Sequence, residues 1–275
     1  MIEPIPHIRA ISIRKKLNTV GSEPLLLIGD DYNPYYVKNS KLLTPAWDLI
    51  NEVICHFLLK AWNINTPDIA LIEIEKETLN QNYGSRHKKS YYSRVAFGSK
   101  QVDGAYDLNE LTLFKSKVDF KKYDKPEMFA RIGLFDMWVE NEDRPPNLKN
   151  VMLFEKESRQ HFLAIDNAMA FRTGAYESLS DNKFYPTENN YCLQSTFFQK
   201  YKRFLRFKDR NWAKTEEENF YFCIAKSKSY LSECCKLMPL DWGLKETIQT
   251  ILTNFLFNEG RNRSIFYEYL RMWSS

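Results

Sequence analysis

The sequence is poor in the residues that build covalent or metal scaffolds. Its five cysteines, Cys55, Cys192, Cys223, Cys234 and Cys235, include no C-x-x-C pair. An odd count without regular spacing excludes a disulfide framework and fits a reducing cytoplasm. The four histidines, His7, His56, His87 and His161, stand at none of the spacings of a zinc site. His161, on an apolar strand, reads as packed core. No stretch approaches the roughly 18 consecutive apolar residues of a membrane span. The opening MIEPIPHIRAISIRKK carries prolines and no long apolar core, so it does not read as a signal peptide. Internal repeats and low-complexity tracts are missing. A formal charge of +4 is too mild for a dedicated nucleic-acid binder, though it admits an anionic ligand. The lysine-rich stretches 115–125 and 200–210 read as solvated faces.

What is present is a globular chain. At 275 residues, 44% hydrophobic and 15% aromatic, it can bury a full core in one large domain or two lobes. The most informative chemistry lies at 135–171, FDMWVENEDRPPNLKNVMLFEKESRQHFLAIDNAMAF. A helical run opens at Pro126, with Met128, Phe129, Ile132, Phe135, Trp138 and Val139 on one face, and delivers Asn141 and Asp143. Asp136 on it reads as structural. Pro145 and Pro146 force the backbone out of the helix, since proline lacks the amide donor and clashes with the preceding turn. Asn150 then enters a short buried strand at 151–154. A polar turn at 155–160 leads to a second apolar run at 161–165, which ends in Asp166. This predicts a hairpin with Asp143, Asn150 and Asp166 gathered at one end. Two carboxylates and an amide oxygen are hard donors that suit Mg²⁺ bridging phosphates rather than zinc.

Upstream, residues 8–13 read as a first strand and 25–28 as a second. Between them a Gly21-Ser22 turn offers backbone amides of the kind that cradle phosphate, as well as an ordinary hairpin turn. Tyr35-Tyr36-Val37-Lys38 is an aromatic strand ending in lysine, which is unfavourable in a buried setting without an anionic partner. Thr44-Pro45 opens a helix whose apolar face carries Trp47, Leu49, Ile50, Val53, Ile54, Phe57, Leu58 and Trp62, with Glu52 in the same region. A strand at 69–74, a polar loop at 76–89 and a strand at 91–98 follow. A polar crossover at 101–126 leads to the second half. That half ends in helices expected at 197–207, 216–231, 244–257 and 261–273.

The ordered set resembles the catalytic centre of the HipA-like kinases, whose fold is protein-kinase-like. The local match is Asn141-Glu142-Asp143-Arg144, then Asn147 and Asn150, then Ile165-Asp166. The resemblance extends to Asn51-Glu52, to LLKAWNINTPDIALIEI and to the C-terminal MPLDWGLKETIQTILTNFLFNEGRNR. The interval between Asp143 and Asn150 is longer than in the best-known members, which leaves Asn147 beside Asn150 as a candidate metal ligand. His-Arg-Asp and Asp-Phe-Gly are absent: Glu142 precedes Asp143, and Asn167-Ala168 follow Asp166.

The resemblance implies an α+β, bilobal fold. A small β-rich N-lobe at 1–100 would bind the nucleotide phosphates, and a mainly helical C-lobe at 101–275 would carry the catalytic loop and metal site. ATP and Mg²⁺ are the implied cofactors. Gly21 and Ser22 would lie over the phosphates, and Lys38, paired with Glu52, would contact them. Backbone groups at Val95, Phe97 and Gly98 would meet the adenine edge. Asn150 and Asp166 would hold the metal, Asp143 would take the proton of the attacking hydroxyl, and Asn141 or Asn147 would brace the loop. Arg144 would tether the base or lie at the surface. The implied activity is phosphate transfer to a Ser or Thr of a protein partner in the cytoplasm, with the polar stretch 173–195 in the place of an activation segment. Two other readings stay open. One is a lipid or small-molecule kinase on the same frame. The other is a non-catalytic pseudokinase or binding module, against which the filled catalytic positions argue.

Overall fold

The N-terminal lobe is built from five strands, β1 (His7–Lys16), β2 (Leu25–Gly29), β3 (Pro34–Lys38), β4 (Ile69–Glu73) and β5 (Ala96–Lys100); burial alternates along β2 and β3 and is continuous from Ile69 to Ile72 of β4. In this computed structural model, which describes residues 2–17, 24–82, 90–108, 116–141, 143, 150–185, 191–204 and 211–274, the strands run in the order β1-β2-β3-β5-β4. Parallel pairing of His7–Arg9 with Leu71–Glu73 closes them into a barrel. Leu25, Leu27, Tyr35, Val37, Ala70 and Ile72 fill its interior. Gly98 permits the close approach of β4: a Cβ there would stand 2.5 Å from Ile72 Cγ1.

The strand expected at 91–98 sits further along the chain. Ser90–Tyr92 forms a 3₁₀ turn that drops Tyr92 into the barrel core, and the ladder begins at Ala96, opposite β3 and β4. The 76–89 stretch is not all loop, because Lys76–Asn82 forms a short helix, α2, which packs Leu79 into the barrel core.

Helix α1 (Trp47–Ala61) is buried almost all round, Asn51, Glu52 and His56 included. A helix hidden on every side belongs to a core rather than a surface. One flank meets the barrel, and the other joins the C-terminal aromatic cluster, where Trp62 stacks on Trp138 at 5.2 Å and meets Phe220 edge-on.

The second lobe is built on α3 (Glu127–Val139), then α4 (Thr196–Phe204), α5 (Trp212–Cys234), α6 (Glu246–Leu256) and α7 (Glu259–Ser274). A three-stranded sheet lies between the lobes: β6 (Tyr106–Asp107), β7 (Val151–Lys156) and β8 (Arg159–Ala164). Glu157 and Ser158 form its hairpin turn, with φ of 52° and 60°, the left-handed pair that matches strand twist. This turn fixes the register, Val151 opposite Ala164, and so brings Ile165 N to donate to Asn150 O at 3.2 Å. His161 is not core: it lies half-buried, stacked on Phe154, because β8 becomes buried only from Phe162 onward. Among the described residues, no helix is long and apolar enough to cross a membrane.

Candidate active site

Lys38 ends β3, Glu52 sits on the second turn of α1, and Asp166 follows β8. The fold brings the three together. Lys38 Nζ donates to Glu52 Oε1 and to Asp166 Oδ1, each at 2.6 Å. Burial alone would lower the lysine pKa, but the Glu52 and Asp166 carboxylates outweigh it and hold Lys38 above its ordinary value. Burial pushes the Glu52 carboxyl up, against the pull of Lys38. The second oxygen of Glu52 accepts from the Asn167 backbone amide at 2.9 Å. One buried carboxylate thus fastens both the strand lysine and the residue after Asp166. Asp166 itself has φ of 55°, a left-handed conformation uncommon outside glycine.

Across from this trio, α3 ends at Glu140, which has φ of 48°. That left-handed residue turns the chain so that Asn141, buried, donates from Nδ2 to Asn167 Oδ1 at 3.3 Å and accepts the Asp143 backbone amide at 3.3 Å. Asn150 Nδ2 donates to the Asp143 carbonyl at 2.6 Å. The main chain of Asp143, an exposed residue, is therefore held from both sides. Gly21, Ser22, Glu142, Arg144 and Asn147 lie outside the described residues.

Lys38, Glu52, Asp166 and Asn167 line a cleft of about 290 Å³. Its apolar wall includes Leu17, Pro24, Ile69, Met152 and Leu163, and its rim runs along Phe97, Ser99, Lys100, Gln101 and Val102. Of the three residues expected at the adenine edge, only Phe97 lines it. Strand alternation turns Gly98 toward Ile72, and the Val95 carbonyl accepts the Trp242 indole N–H at 2.9 Å. The same rim includes 99–102, because pairing with β3 carries β5 on to Lys100.

Several residues at the site carry little sequence signal. Glu140 Oε2 accepts from Arg172 Nε at 2.6 Å, and Oε1 accepts from Arg261 Nη2 at 3.1 Å. Arg261 is fully buried, 3.6 Å above the Phe255 ring, and also donates to Trp138 O at 2.7 Å. Burial pulls its pKa down to about 10, with Glu140 acting against that fall. Arg172 and Arg261 are one basic residue each in polar surroundings, and only the fold shows that they share a carboxylate.

His56, one turn beyond Glu52, lines the cleft with Nδ1 buried and unpartnered. Burial first, then Lys60, lowers its pKa from 6.5 to about 3, while in an unfolded chain it would take a proton near its ordinary value. The unfolded state then binds more protons between those two pH values, so stability falls as pH drops through that window. The slope is about 1.4 kcal/mol per pH unit for this one group. Urea unfolding of His56→Leu and wild type at pH 7 and pH 4.5 should show a shallower acid loss in the variant; equal losses would contradict this.

Comparisons with known proteins bear on the family and the fold. A profile of the HipA-like kinase family matches residues 10–274. Among solved structures, the chain is similar to the Helicobacter pylori proinflammatory kinase CtkA, at 10% identity and a TM-score of 0.57, over 98% of this chain and 99% of that one. Looser likenesses are the Golgi casein kinase (11% identity, TM-score 0.47, 100% and 73% covered) and HipA of Shewanella oneidensis MR-1, solved with HipB and operator DNA (12%, 0.46, 95% and 67%). At such identities the first likeness shows the fold alone: a bilobal, mixed α/β architecture related to kinases. No curated protein matches.

Proposed function

We propose that this chain, which belongs to the HipA-like kinase family, transfers phosphate from ATP to a serine or threonine hydroxyl of a protein. The observation that carries the reading is the Lys38–Glu52–Asp166 contact at the cleft wall, 2.6 Å on each side, between residues 14 and 128 apart in sequence. A half-buried lysine kept charged by two carboxylates is a fixed positive centre, which phosphate oxygens require for alignment and charge neutralisation. On this reading residues 1–100 hold the phosphates and 101–275 carry the catalytic loop. Gly21 and Ser22, outside the described residues, are assigned on the same reading as the cover over the phosphates. The adenine edge is assigned to Phe97 and the backbone at 100–102, in place of Val95 and Gly98.

The donor set fits Mg²⁺. Asp166 and Asn150 would offer it a carboxylate and an amide oxygen. Mg²⁺ characteristically takes one or two carboxylates and fills its shell with water and substrate phosphates. Bound there, it would neutralise charge on the phosphate oxygens. The chain's own residues do the remaining work. Lys38, steadied by Glu52, orients the phosphates, and Asn141 holds the Asp143 backbone. Asp143 accepts the proton of the attacking hydroxyl. A cytoplasmic setting belongs to the same reading.

Thermal unfolding with nucleotide tests the reading. ATP with Mg²⁺ at a hundred times its Kd should stabilise the protein by about 2.7 kcal/mol through mass action. A folded protein whose melting temperature does not move at millimolar Mg-ATP would overturn it.

A further inference from the structure

Between α1 and the chain beyond Asp166 lies a second set of contacts that the mechanism above does not use. Asn51, wholly buried, donates from Nδ2 to the Ala168 carbonyl at 2.8 Å and to the Ala170 carbonyl at 2.7 Å. Its Oδ1 accepts from the Tyr176 hydroxyl at 2.7 Å. Both amide hydrogens and one oxygen lone pair are therefore committed. Because Tyr176 donates to the oxygen, the –NH₂ end of Asn51 is the end that faces the two carbonyls. Burial raises the Tyr176 pKa well above the usual range, so its hydroxyl keeps the proton it donates.

The segment so held is conformationally unfavourable. Asp166, Phe171, Arg172 and Thr173 all have φ between 52° and 57°, and none is glycine. Non-glycine residues in the left-handed region persist where their surroundings over-determine them. Here the surroundings are two consecutive helix residues. Glu52 holds the Asn167 amide, and Asn51 holds the carbonyls of Ala168 and Ala170.

Resting on the kinase reading, we infer that Asn51 and Tyr176 are positioning residues for Asp166. They set the place of the carboxylate assigned to the metal without touching metal or nucleotide. Outer partners of a ligand that fix its orientation typically change metal affinity 10- to 100-fold when removed. The pair also makes α1 and the Asp166 turn one unit, so the lysine partner and the metal carboxylate are positioned together.

Tyr176→Phe tests this with the full chain, since it removes one oxygen and keeps the ring. Calorimetric titration of ATP in EDTA, and of Mg²⁺ into the protein–ATP complex, separates the two affinities. The expected result is ATP affinity in EDTA within about twofold of wild type and Mg²⁺ affinity lower by about 10-fold or more. Asn51→Asp, which keeps an acceptor for Tyr176 but loses both donors, should act in the same direction. If it does not fold, Tyr176→Phe alone decides. A lowered melting temperature with unchanged Mg²⁺ affinity in Tyr176→Phe would mean a merely structural role and would overturn this inference alone. Failure of the wild-type protein to bind Mg-ATP would overturn the kinase reading and this inference with it.

Discussion

Asp143→Ala is expected to abolish phosphate transfer while Mg-ATP binding stays close to wild type, and Asp166→Ala is expected to lose both. The two carboxylates stand at opposite sides of the proposed reaction. Asp143 is an exposed residue, and its backbone is held by Asn141 Oδ1 and Asn150 Nδ2, contacts that an alanine keeps. Removing only a general base typically costs 10²- to 10⁴-fold in rate, with binding left largely untouched. Asp166 is different, because its carboxylate accepts from Lys38 and is one of the two assigned metal ligands. Its loss removes a metal oxygen and leaves the lysine to Glu52 alone. Transfer of label from ATP, with sites read by mass spectrometry, measures the first effect; calorimetry measures the second. Equal transfer by Asp143→Ala and wild type would refute the proposed base.

The largest stability effect is expected at Glu140. Its carboxylate is the shared partner of Arg172 and of the fully buried Arg261. Glu140→Ala leaves the buried Arg261 guanidinium, among the described residues, with the Trp138 carbonyl and the Phe255 ring. Breaking a buried ion pair from one side costs about 3–5 kcal/mol, because the remaining charge stays desolvated and unpaired. That is a large share of the roughly 5–15 kcal/mol by which whole domains are stable. Arg261→Met should cost less, since it removes the buried charge together with its desolvation penalty. Urea unfolding of the two variants gives the comparison. A loss below about 1 kcal/mol in Glu140→Ala would show that the network is solvated rather than buried.

Much of the framework could be read from residue order. Lys38 and Glu52 carried a local signal, a charged group at the end of an apolar strand and another within an apolar helix region, and the fold brings them together. The hairpin at 151–164 was legible because two apolar runs flank a polar turn. The cleft wall at 99–102 was not, since the run of β5 depends on pairing with β3 some sixty residues away. The burial of Asn51 and His56 was hidden for another reason. A polar residue on a mostly apolar helix reads as facing water, and only the packing of both lobes around α1 shows that it does not. The Glu140 network joins residues 121 and 32 apart, a separation at which no spacing rule operates.

The barrel's strand order has a consequence for synthesis. β5 is the stave between β3 and β4, and it is the last of the five to be made. Until residue 100 has left the ribosome, Pro34–Lys38 and Ile69–Glu73 each present an unpaired edge, the kind of surface that recruits other strands. At about 5–20 residues per second, the roughly thirty residues from β4 to the end of β5 keep those edges open for a few seconds. The nascent chain is therefore most exposed to wrong pairing in that interval, well before Asp166 exists to meet Lys38.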